Sequence, residues 1–246
     1  MDRLIFTAMT GASAATHRQA VLANNLANVS TNGFRAELST FRAVPLQGEG
    51  LATRVFALEA TAGHLDTAGP AQRTGRDLDA MAQGNSWFAV QGLDGTEAYT
   101  RNGAFEISPQ GTLMTGNGLT VLSDGGAPIT LPLGASVSLG SDGTLSAKTG
   151  NQPAANVGKL KMVTPDAQDP LKRGTDGLFR AASGDPLPGS ATARLSTGVL
   201  EGSNVNAVEA MVGMIQTARQ FEVQMRLLQN AETNDKSASQ LLNLQG

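Results

Sequence analysis

The chain has 246 residues, no cysteine and a net charge of −3. The absent thiols exclude disulfides, Cys-ligated zinc, iron–sulfur clusters and thiol nucleophiles, and the near balance of 18 basic and 21 acidic residues argues against the basic face of a nucleic-acid binder. Twenty-nine glycines beside one Trp, one Tyr and eight Phe describe many turns and long simple elements, not a dense aromatic core.

The chain opens Met1-Asp2-Arg3-Leu4-Ile5-Phe6-Thr7-Ala8-Met9. Thr7, Thr10, Ser13, Thr16 and His17 interrupt its apolar residues, so no cleaved secretory signal is expected. No run approaches the ~20 apolar residues of a membrane span. The chain is therefore expected to stay in the cytoplasm or to leave it by a route that needs no cleaved signal.

Residues 2 to about 28 predict a helix, with Asp2 as its N-cap. Ile5, Ala8, Ala12, Ala15, Gln19, Leu22, Leu26 and Val29 recur at steps of three and four, the seam of a heptad pattern. An alanine-rich seam lets a partner helix approach closely but buries little area, so this helix is not expected to be stable alone. Asn24, Asn25 and Asn28 are poor helix-interior residues, because their amides compete for backbone hydrogen bonds. Asn24 and Asn28 share a face and are expected to bond a partner helix or backbone and fix its register. The helix ends in Asn28-Val29-Ser30-Thr31-Asn32-Gly33, a cluster of turn formers.

Residues 35 to about 203 have no helical rhythm. Strands are expected at Trp87 to Val90, Ala98 to Arg101, Phe105 to Ile107, Leu119 to Leu122, Val137 to Leu139, Lys159 to Val163 and Arg194 to Ser196. Asp94-Gly95, Asn102-Gly103, Asn117-Gly118, Asp124-Gly125, Asp142-Gly143 and Asp176-Gly177 suit tight hairpin turns that need positive φ. Residues 105–113 and 137–145 share a spacing of apolar, Gly, Thr and Leu positions, which predicts two similar hairpins in one β domain.

Residues 204 to about 243 predict a second helix, at 1.5 Å per residue about 60 Å long. Asn206 and Glu209 resemble a capping box. Val208, Met211, Met214, Ala218, Phe221, Met225 and Leu228 continue the three-four rhythm, and Glu222/Arg226 and Glu232/Lys236 are favourably ordered pairs. The methionines read equally as core packing or as adaptable contacts between subunits. The expected fold is α+β: terminal helices pair as a coiled-coil-like layer around a central, mainly antiparallel β domain. The expected segments are 1–34, an extended connector at 35–85, a β domain at 86–197, and the connector and helix at 198–246. The helices are expected to pair with each other or with the ends of neighbouring subunits, and to be largely disordered or loosely packed in an isolated subunit.

No catalytic, cofactor or metal constellation appears. His17 and His64 have no second ligand at metal spacing. Gly116-Asn117-Gly118 suits a hairpin turn better than a dinucleotide fingerprint. Asp77 and Asp79, beside Arg73 and Arg76, read as a solvated loop. Asn28-Val29-Ser30 fits a glycosylation sequon but sits at a helix end. Lys159, Lys161, Lys172 and Arg173 are too few for a nucleic-acid patch. The residues alone leave open a structural assembly protein and a soluble ligand-binding β module with dimerising helices.

The segment Asn24-Asn25-Leu26-Ala27-Asn28-Val29-Ser30-Thr31-Asn32-Gly33-Phe34-Arg35 resembles the signature of the bacterial flagellar axial proteins of the rod and hook. Residues 196–206, Ser-Thr-Gly-Val-Leu-Glu-Gly-Ser-Asn-Val-Asn, resemble the lead into that family's C-terminal helix. The opening nonapeptide, Phe41-Arg42-Ala43-Val44-Pro45, Trp87-Phe88-Ala89-Val90-Gln91 and Tyr99-Thr100-Arg101-Asn102-Gly103 are similar to the proximal-rod members, with the distal-rod members as runner-up. The resemblance implies a structural subunit of the periplasmic rod. It would be exported without a cleaved signal through the flagellar type III apparatus. It would assemble with its own copies and other rod subunits, with no cofactor, nucleic acid or membrane insertion. The helices would line the tube, and the β domain would face outward. The two helical seams with Asn24, Asn25, Asn28, Gly33 and Phe34 would form the assembly interface.

Overall fold

The computed structural model describes residues 2–45, 55–150 and 152–243. The chain forms two compact units, one of Met1–Val29, Ala36–Leu65 and Val205–Gly246, the other of Ser30–Arg35 and Asp66–Asn204.

In the helical unit, α1 (Asp2–Ala27) packs against α2 (Ala207–Asn243). A Cβ on Gly11 would stand 3.0 Å from the Gln224 side chain, and one on Gly213 would stand 3.2 Å from Leu22 Cδ1. An early residue of α1 thus faces a late residue of α2, so the helices run antiparallel, in contact where small residues let them approach. Ala8, Ala12 and Ala15 are buried on α1, and Ile5, Gln19, Leu22 and Leu26 are half-buried on the same seam. Among the described residues of α2, Ala210, Thr217 and Ala231 are buried, with Met214, Gln224 and Leu228 half-buried on the same line. This line shares Met214 and Leu228 with the sequence-predicted seam but not Val208, Met211, Phe221 or Met225. Ala210, Thr217 and Ala231 are the α2 residues most deeply buried on this line, while Met211, Phe221 and Met225 of the sequence-predicted seam are exposed. Thr217 is accommodated because its hydroxyl donates to Gly213 O at 2.8 Å. Asn206 caps α2, its Oδ1 accepting from Val208 N at 3.1 Å and Glu209 N at 3.3 Å. The Glu232–Lys236 pair forms at 2.7 Å. The cap expected from the Asp2 side chain lies outside the described residues.

The segment read as an extended connector contains an antiparallel ribbon of β1 (Glu37–Pro45) and β2 (Val55–His64), in one register from Ser39↔Thr61 to Pro45↔Val55, with a shift between Glu37 and Ser39. Asn25 fastens it to α1. Its Nδ2 donates to Glu37 O at 2.9 Å, and its Oδ1 accepts from Glu37 N at 2.8 Å. The buried Asn25 side chain thus behaves like one rung of a strand pair.

The β unit is built of antiparallel strands. Its largest sheet has five, in the order Met162–Val163, Trp87–Gln91, Glu97–Thr100, Phe179–Ala181 and Leu171–Arg173. Alternate residues of the second strand face opposite sides of the sheet. Phe88 and Val90 enter a core with Phe105, Leu113, Val121 and Leu145, while Trp87 and Ala89 enter another with Tyr99, Val163 and Phe179. Both faces are covered, which explains why Trp87-Phe88-Ala89-Val90 is apolar throughout.

One turn recurs through this unit. Gly92 N donates to Thr96 O and Gly95 N to Gly92 O, and the same two bonds close 108–112, 115–119, 123–127, 140–144 and 174–178. The fourth residue is always glycine, with φ between +77° and +88°. No non-glycine among the described residues has positive φ. The hairpins therefore close by a type I turn with a glycine bulge, not by a two-residue mirror-image turn. Two expectations are corrected. After Asp124 the positive φ falls on Gly126 instead of Gly125. Asn102-Gly103 is not a hairpin turn; Gly103 is required because a Cβ there would lie 1.8 Å from Ala80 O. The two similar hairpins, 105–115 and 136–148, share the recurring turn.

The aspartates before these glycines add side-chain bonds. Asp94 Oδ1 accepts from Thr96 N at 3.0 Å and Thr96 Oγ1 at 2.8 Å, and Arg180 reaches Asp94 at 3.0 Å and Asp176 at 2.8 Å. The Thr96 hydroxyl and amide hold the Asp94 carboxyl below its ordinary range, with a smaller contribution from Arg180, whereas the bond from Arg180 is the largest cause at Asp176. A depressed carboxylate stabilises the fold fully above its unfolded pKa and loses that contribution as pH falls through the folded one. These hairpin tips should therefore hold at neutral pH and loosen only below the ordinary carboxylate range of about 4. In a carboxyl NMR titration, Thr96→Val should raise the Asp94 midpoint toward that range. An unchanged midpoint would remove the threonine from this role.

Candidate assembly site

The sequence-predicted interface residues fall into distinct settings. Ala8, Ala12, Ala15 and Asn25 are buried inside the helical unit. Ile5, Gln19, Leu22, Leu26, Asn28, Met214, Ala218 and Leu228 are half-buried. Val208, Met211, Phe221 and Met225 are exposed, as is Asn24. Asn24 and Asn28 bond each other across the C-terminal end of α1, Asn28 Nδ2 donating to Asn24 Oδ1 at 3.0 Å. Gly33 and Phe34 are buried in the β unit.

The helical unit exposes much apolar surface. Val208 is 71% exposed, Ile215 56% and Met211 51%, with Val212 beside them, and Phe6 and Met9 are open on α1. A groove of 620 Å³ runs along the helix pair, floored by Thr16, Ala20 and Ala23 of α1 and by Met214, Ala218 and Phe221 of α2. Clustered apolar exposure on one helical unit is the mark of an interaction surface, because single scattered residues would need no partner.

The β unit contains a second arrangement, which joins the two signature segments. Glu201 is fully buried. Its Oε1 lies 2.6 Å from Arg35 Nη1 and accepts from Gly69 N at 3.0 Å, while its Oε2 accepts from Arg101 Nε at 2.8 Å. Arg35 Nη1 also donates to Thr67 O at 2.7 Å, and Arg101 Nη1 donates to Gly84 O at 3.0 Å and to Ser86 O. Both guanidiniums face the Trp87 ring, at 5.9 and 5.7 Å. Burial lowers the Arg101 pKa, Glu201 opposes that, and Arg35 adds to it. Backbone bonds complete the clasp: Gly33 N to Glu201 O at 2.7 Å and Asn204 N to Phe34 O at 3.3 Å. Gly33 has φ +70°, and a Cβ on it would lie 2.4 Å from Arg101 C, so no other residue fits. The sequence pointed to the turn from Asn24 to Arg35 but not to Arg101 or Glu201. The available signal was a single acidic residue set among the small and apolar residues of 198–203.

The expectation for Asp79 changes. Asp79 is buried, not in a solvated loop, with Arg76 Nε 3.7 Å from its Oδ1; Asp77 is exposed. Lys161 is buried and pairs with Glu97 at 2.8 Å, so it belongs to no basic patch. Among the described residues no cluster of His, Asp or Glu could hold a metal, and no helix is long and apolar enough to cross a membrane.

A helix pair with open apolar faces and a β unit that clasps the two signature segments have the build of an axial assembly subunit. The family models agree along the chain. Residues 5–35 match that of the flagella basal body rod protein, 81–147 the flagellar hook protein FlgE/F/G D1 domain, and 196–241 the flagellar basal body rod FlgEFG protein C-terminal region. The chain belongs to the family of flagellar basal-body rod proteins. Its similarity to the rod protein FlgF of Escherichia coli K12 is 45% identity, covering 99% of this chain and 100% of the relative, and to that of Salmonella typhimurium it is 44% over the same shares. The rod protein FlgG of Bacillus subtilis is 32% identical over 99% of each chain, so FlgF is the better match of the two. The chain is a structural subunit of the flagellar basal-body rod.

Proposed function

We propose that this subunit builds the proximal rod by interlocking its terminal helices with those of neighbouring subunits, without catalysis. The observation that carries the reading is the exposed apolar face of Val208, Met211, Val212 and Ile215, on a helix pair whose inner line is thin and alanine-rich. A neighbouring copy or another rod subunit would supply the missing apolar surface. A head-to-tail contact that does not close then generates a helical tube. In this reading Ile5, Gln19, Leu22, Leu26, Asn24, Asn28, Met214, Ala218, Phe221, Met225 and Leu228 serve the interface. Ala8, Ala12, Ala15 and Asn25 hold the helical unit together, and Gly33 and Phe34 anchor the N-terminal segment. The tube would act as drive shaft and export channel across the periplasm. The chain would reach it unfolded, through the flagellar export apparatus and without a cleaved signal. Loosely held helices suit that route, because they fold fully only when a neighbour arrives.

Motility in cells lacking their own copy tests this. The full chain should restore swimming, and a chain ending at residue 206 should not. Swimming with the shortened chain would favour the alternative, in which the β unit binds a ligand and the helices only dimerise.

A further inference from the structure

We propose that the exposed thioethers of Met9, Met211 and Met225 are separate peroxide-sensitive positions whose oxidation blocks incorporation. This rests on the reading that the helical faces are buried on assembly. The three side chains are 57%, 51% and 38% exposed, and all lie on α1 or α2. The methionines of the β unit are shielded: Met162 is 2% exposed, and Met81 and Met114 are half-buried. The chain has no cysteine, so thioethers are its only sulfur targets for a mild oxidant.

The chemistry is an oxygen transfer. The methionine sulfur attacks one oxygen of hydrogen peroxide, a sulfur–oxygen bond forms as the oxygen–oxygen bond breaks, and after proton transfer the second oxygen leaves as water. Sulfur is oxidised to the sulfoxide and peroxide is reduced. The product carries a strongly polar oxygen on a formerly apolar, adaptable side chain. Met211 lies one residue from Val212, three from Val208 and four from Ile215, all exposed, so its oxygen would stand in the middle of an apolar stripe. Met9 lies three residues from exposed Phe6. Buried in a subunit contact without a donor, that oxygen opposes association. Once assembled, the same burial shields the sulfurs, so oxidation acts on the free subunit and not on the finished rod.

Two measurements test the proposal. When the purified full chain is treated with hydrogen peroxide and digested, mass spectrometry should show Met9, Met211 and Met225 oxidised about tenfold or more faster than Met162, in line with their exposure. In isolated basal bodies the three should be protected. Independently of any oxidant, a Met9→Gln/Met211→Gln/Met225→Gln chain, which keeps a polar atom at each position, should incorporate about tenfold less well or worse. Met→Leu at the same positions should incorporate normally. Uniform oxidation rates, undiminished oxidation in basal bodies, or normal incorporation of the Gln chain would each overturn the proposal. Amide exchange of the β unit checks that the Gln chain is folded. If the Gln chain incorporates while a chain with Leu22→Asp and Leu26→Asp does not, only the role of the methionines is wrong. If both incorporate, the assembly reading itself has failed.

Discussion

Replacing Glu201 with alanine should destabilise the β unit by about 3–5 kcal/mol, the usual effect of stripping the counter-charge from a buried ion pair. Two guanidiniums depend on this carboxylate. Arg101 is 1% exposed and Arg35 is 3% exposed, so neither recovers its solvation in water when Glu201 is gone. A loss of this size is a large share of the ~5–15 kcal/mol that holds a typical domain together. Trp87 is the single tryptophan of the chain and lies against both guanidiniums, so its fluorescence reports the transition directly. The denaturant midpoint should fall sharply in the alanine chain. Replacing Arg35, Arg101 and Glu201 together with methionine should recover much of the loss, because no charge is then left unpaired. An alanine chain with an unchanged midpoint would mean that the clasp does not hold the signature segments in place.

Replacing Leu22 and Leu26 with aspartate should abolish incorporation into the rod and with it swimming. Both residues are half-buried on the α1 seam, and Leu22 packs where Gly213 leaves room on α2. Each leucine forfeits up to about 1.5–3 kcal/mol of burial, and each aspartate places a charge against an apolar face. Helix pairing has little in reserve, since the rest of the seam is mostly alanine. The Trp87 denaturation midpoint should stay where it is, because neither residue belongs to the β unit. Cells that carry the double change and swim normally would refute assembly through the helical seams.

The division into helical ends and a β middle was legible because its signals are local. Three-four spacing, the Asn206 cap and the Asp-Gly pairs each act within a few residues, and the structure contains the helices, the cap and most of the turns. What depends on distant partners was not legible. The inner line of α2 lies against α1, which no local rhythm reveals. The ribbon of β1 and β2 is attached to α1 through Asn25, a side chain imitating a strand. Gly103 looked like a turn glycine, but what it avoids is the Ala80 carbonyl, far off in the sequence. The clasp is the clearest case. Arg35, Arg101 and Glu201 are spread over most of the chain, and charged residues ordinarily read as solvated surface. Their burial shows only once the strands are arranged around them.

Cryo-electron microscopy of basal bodies assembled with this chain tests the central claim most directly. α1 and α2 of each subunit should form the inner wall of the rod, with Val208, Met211 and Ile215 buried against a neighbouring subunit and the β unit outside. A rod in which the β units make the subunit contacts, while those three side chains remain in solvent, would contradict it.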